Sequence, residues 1–71
     1  MFTSPGGSVT ATCQSGLAYL QFWTPSQGYQ ADDVVRGPAA QARVGFEHLQ
    51  SEFVISVTCS GSKPVASVGS G

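Results

Sequence analysis

From Ser8 to Cys59 the chain repeatedly sets apolar and polar residues at alternate positions, and this period of two most limits what it can fold into. Successive side chains of a β-strand point to opposite faces, so the alternation describes strands with one buried face. Ser8 to Cys13 puts Val9, Ala11 and Cys13 on one face and Ser8, Thr10 and Thr12 on the other. A turn at Gln14, Ser15 and Gly16 leads into Leu17 to Thr24, with Ala18, Leu20 and Phe22 on one face and Leu17, Tyr19, Gln21 and Trp23 on the other. These two strands read as a hairpin. Pro25 to Gly28 breaks the ladder before a weaker strand from Tyr29 to Val35, which ends where Arg36, Gly37 and Pro38 withhold a donor and restrict the backbone. A fourth strand from Ala40 to Glu47 alternates Ala40, Ala42, Val44 and Phe46 against polar residues. The fifth, Glu52 to Cys59, carries Phe53, Ile55, Val57 and Cys59 inward. No segment fits the helical period better.

Five strands joined by Gly, Pro and Ser turns describe an all-β fold, a small antiparallel sandwich or partly closed barrel, with an immunoglobulin-like topology among the options. A chain of 71 residues holds one domain, residues 1–71. The ordered part is expected over about 6–65. Residues 1–5 and 66–71 read as flexible or as additions, Met1 as an expression start and Ser67 to Gly71 as a linker. A secreted parent would carry its signal or anchor upstream of Phe2. The expected core is Val9, Ala11, Leu20, Phe22, Val44, Phe46, Phe53, Ile55 and Val57.

A domain this small buries only roughly 60% of the surface its unfolded chain exposes, so a staple is expected. Cys13 and Cys59 close the first and last strong strands and share the inward parity, which lets them meet. Closing so long a loop would stabilise the fold by about 4 kcal/mol on the chain-entropy account. A pair of buried thiols in a reducing compartment fits the same parity. The charged fraction of 10% and the abundance of Ser and Thr favour the bridge and a place outside the cytoplasm. The order Cys13, Trp23, Cys59 is also that of immunoglobulin domains, but Val57 stands where such a domain has its corner tyrosine.

Several phrases occur together: Gly7-Ser8-Val9-x-Ala11-x-Cys13, Trp23-x-Pro25-x-x-Gly28-Tyr29, Asp33-x-x-Arg36-Gly37-Pro38-Ala39, Ala42-x-Val44-x-Phe46 and Val57-x-Cys59. Over about residues 6–65 the chain resembles a small extracytoplasmic domain at the C-terminal end of actinobacterial membrane-anchored or lipoprotein-like proteins, a family of unknown function. The resemblance implies a location outside the membrane and a paired-cysteine pattern. It implies no activity.

Function classes narrow by subtraction. Three basic residues, Arg36, Arg43 and Lys63, face four acidic ones and form no stripe that would track phosphates, so nucleic acid is not an expected partner. No apolar run reaches the ~20 residues that cross a bilayer as a helix. His48 is the only histidine and lies in a turn without a nucleophile motif, so no catalytic residue is assigned, and a small hydrolase using His48 is the weakest reading. Two cysteines and one histidine make no tetrahedral metal set, and no cofactor is expected. Asp32 and Asp33, adjacent on a strand, point to opposite faces unless a bulge turns one of them; a calcium site would further need Glu47 or Glu52. Asp33 is placed to hydrogen-bond Arg36 and order the turn into Gly37 and Pro38. Trp23, Pro25 and Tyr29 flank one turn, where rigid rings give contact area at small entropic cost, or else pack the rim of the core. The expectation is a non-enzymatic extracytoplasmic interaction module that contacts a protein or cell-envelope partner through these three residues. A structural spacer without ligand is the alternative.

Overall fold

In a computed structural model, which describes residues 1–70, the alternating segments form two antiparallel sheets packed face to face. The first holds β1 (Phe2–Ser4), β2 (Gly7–Gln14) and β3 (Leu17–Pro25) in that order. The second holds β4 (Gln30–Val35), β5 (Ala42–His48), β6 (Ser51–Ser60) and β7 (Lys63–Ser70). Each strand pairs with the next in sequence, save that the chain changes sheets between β3 and β4. There is no helix among the described residues, and the sheets do not close into a barrel.

The five expected strands are β2 to β6, and two were not expected. Phe2–Ser4 pairs with Gly7–Val9, and Lys63–Ser70 pairs with Phe53–Ser60, so the pieces read as tails at 1–5 and 66–71 largely form the outer strands β1 and β7. Gly71 lies outside the described residues. β1 is too short for alternation to register, and β7 mixes Pro64 and Gly69 into its pattern.

The core between the sheets is Val9, Ala11, Ala18, Leu20, Ala42, Val44, Phe46, Ile55 and Val57. Phe46 is its largest member and is fully buried. Gly6 and Gly7 leave room for it, because a Cβ on either would come within 2.9 Å of the Phe46 side chain. Phe53, expected inside, is only half-buried, and Ala40 is exposed and lies before β5 begins. Cys13 and Cys59 are bonded across the two sheets, from β2 to β6, with Cα atoms 5.9 Å apart and a sequence separation of 46. The shared inward parity of their strands put them in reach.

The second departure is in β3. Thr10 pairs with Phe22 but Ala11 pairs with Leu20, leaving Gln21 as an extra residue in a β-bulge. One inserted residue reverses the parity of everything after it. Leu20 stays inward and fully buried, whereas Phe22, expected in the core, is 61% exposed. Trp23, expected to face away from the core, packs against it opposite Val9.

Candidate functional site

The bulge shapes the surface around it, because an unpaired residue in a strand leaves backbone carbonyls without ladder partners. The chain from Arg36 to Ala39 supplies them along the outer edge of β3. Ala18 N–H donates to Ala39 O at 2.7 Å and receives the return bond at 2.9 Å, while Leu20 N–H donates to Arg36 O at 2.8 Å. The Arg36 side chain completes the edge, its Nε donating to Leu20 O at 3.0 Å and its Nη2 to Gln21 O at 2.8 Å. Its guanidinium also lies 5.2 Å from the Tyr19 ring centroid and 5.6 Å from that of Trp23, within the range of cation–π attraction. Gly37 lets this strap approach: it has φ of 90°, and a Cβ there would collide with the Ala18 carbonyl oxygen. The Gly37–Pro38 peptide is cis.

These contacts correct the expected pairing of Asp33 with Arg36. The guanidinium is held by carbonyls on β3, and Asp33 lies in the β4 bulge between Asp32 and Val35 with φ of 52°. That bulge also removes the expected opposition of the two aspartates. Asp32, Asp33 and Glu52 each bring a carboxylate oxygen within 4.8 Å of the others. Three such groups, two of them exposed, fall short of the roughly six to eight oxygens calcium takes.

Gln21, Phe22, Trp23 and Arg36 line a shallow open groove of about 230 Å³. Of these, Phe22 is exposed and Trp23 half-buried, and the Arg36 guanidinium lies over the Trp23 ring. The other expected contact residues are placed differently. Pro25 is half-buried opposite Gly7. The Tyr29 ring is half-buried against the core and lies 5.2 Å from the His48 ring and 6.2 Å from that of Phe53. Trp23 and Tyr29 thus have separate neighbours, Arg36 for the first and the His48 and Phe53 rings for the second. His48 is exposed at the end of β5, beside Gly28.

Strict alternation assigns Phe22 to the core, and so conceals it as a surface residue; Gln21 falls on the outward face, where it is exposed, but with nothing to mark it as the extra residue of a bulge. No family model, no curated protein and no solved structure matches the chain.

Proposed function

We propose that this domain is a non-enzymatic extracytoplasmic interaction module whose contact with a protein or cell-envelope partner centres on the Phe22, Trp23 and Arg36 groove. The observation that carries the reading is Phe22, a large apolar ring left 61% exposed by a bulge that a regular strand would not need. Two aromatic rings and a cation that already lies over Tyr19 and Trp23 suit a partner that presents an apolar group next to an anionic one. The disulfide is compatible with an oxidising compartment, and a placement outside the membrane is part of the proposal. The spacer reading draws support from Trp23 and Tyr29, whose rings both rest on the core instead of forming one exposed patch.

Trp23 is the only tryptophan and lines the groove, so its emission reports occupancy. Wild-type protein and Phe22→Ala, each shown to be folded by circular dichroism, are titrated with cell-envelope fractions. A saturable emission change in wild type that Phe22→Ala loses is expected. No change in wild type, or an undiminished one in Phe22→Ala, transfers preference to the spacer.

A further inference from the structure

A β-sheet edge offers unpaired N–H and C=O groups that another strand can take up, and folded proteins block such edges. Two of the four outer edges here are blocked, and a third is partly covered. The β3 edge is occupied by the Arg36 to Ala39 strap. The β4 edge is bent by its bulge and carries Asp32 and Asp33. β1 is three residues long and covers only Gly7–Val9, leaving Thr10–Gln14 of β2 open beside the inter-sheet disulfide of Cys13. β7 has none of these devices along its length: it runs eight residues, its one charge is Lys63, and Pro64 protects only its start.

The register shows which groups it offers. The Gly61 and Ser62 turn joins Ser60 to Lys63, and the closing pair of a two-residue hairpin is of the hydrogen-bonded kind. Lys63, Val65, Ser67 and Gly69 therefore bond to β6, while Pro64, Ala66, Val68 and Ser70 turn their backbone groups to the open side. Pro64, with no N–H to give, falls in the second set, where a strand proline belongs. The same residues share the inner face of the sheet, since Ala66 pairs with Val57 and Val68 with Ile55, both fully buried. Yet Val68 is 48% exposed.

We propose that this edge is a self-association site: β7 pairs antiparallel with β7 of a second copy about a two-fold axis at Ser67, joining the two larger sheets into one. The axis sets Ala66 of each copy opposite Val68 of the other on the inner face, so each half-exposed valine gains an apolar neighbour. Self-complementarity favours the second copy over a foreign strand, since the same Ala66 and Val68 supply both halves of the apolar pair. Lys63, the one charge of β7, sits at one end of the strand, and antiparallel pairing holds the two lysines at opposite ends of the seam. With a net charge of −1 per chain, repulsion between copies is small. The groove at Phe22 lies on the other sheet and takes no part.

The test is sedimentation velocity of the intact chain from micromolar to millimolar concentration, with amide exchange followed alongside. Wild type is expected to pass from monomer to dimer, with the Ala66 and Val68 amides slowing as it does. Ala66→Pro removes an edge donor, and Val68→Lys places a charge on the inner face. Each should weaken the dimer at least about tenfold. Should Ala66→Pro fail to fold, Val68→Lys decides, since it leaves the backbone donors in place. A wild type that stays monomeric at millimolar concentration overturns the proposal. So does a dimer indifferent to Val68→Lys, or growth past the dimer without limit.

Discussion

Phe46 and Phe22 have the same side chain, and their surroundings give them opposite roles. Phe46 is enclosed by both sheets and by the bare backbone of Gly6 and Gly7, so Phe46→Ala would open a void that neighbouring strands cannot fill. A loss of about 3–5 kcal/mol is expected, enough to unfold much of a domain whose whole stability is of that order. Phe22→Ala removes a ring that is mostly in water and should shift stability by less than about 0.5 kcal/mol. Urea midpoints of the two variants check this directly. Equal destabilisation would mean that Phe22 is covered in solution. Arg36 belongs with Phe46 in this respect, since its side chain is fixed by two β3 carbonyls and two rings and cannot be removed as a simple surface charge.

At the scale of the strand, the bulge in β3 decides which ring is which. Without Gln21 the remaining order would still run Leu20 inward, Phe22 outward and Trp23 inward, because the extra residue is the one that breaks alternation. Deletion of Gln21 is therefore expected to leave the fold and the faces intact, at a loss of about 1–2 kcal/mol for the Arg36 bond to its carbonyl. Deletion of Leu20 would instead bring a glutamine into the core and should prevent folding. Thermal melts of the two deletions separate these outcomes, and similar melts would mean that the bulge is not where parity turns. The same element shows how far the sequence can be read. Val9, Ala11, Val44, Ile55 and Val57 alternate against regular partners, and their strands, faces and bridge were all legible. Phe22 and Trp23 were not, because a bulge without glycine has no local signature and is fixed by a strap distant in sequence. Asp32 and Asp33 illustrate the same limit: their convergence depends on a backbone turn at Asp33, a residue type that tolerates positive φ but does not announce it. The two outer strands escaped notice for want of length in β1 and of contrast in β7.

For the whole molecule, the bridge from Cys13 to Cys59 is a covalent link between the sheets, which are otherwise joined by apolar packing, by the β3 to β4 crossing and by the hydrogen bonds of the Arg36 to Ala39 strap. Replacing both cysteines by serine should lower stability by about 2–5 kcal/mol, measured as a fall in denaturation midpoint. An unchanged midpoint would show that packing alone holds the sheets in register. The place of the bridge matters as much as its strength. The molecule is long and narrow, 37 Å by 19 Å by 16 Å, and its outermost described strands are also the outermost in the chain. Tension applied through those strands enters β2 at one side and β6 at the other, and the covalent link carries it straight across. The loop enclosed between the cysteines, which holds the groove, the strap and the cluster of Asp32, Asp33 and Glu52, then bears no load. A pulled domain would pay out only the chain outside the bridge and keep its recognition surface shielded from force, whereas the reduced domain would lengthen by the enclosed loop as well.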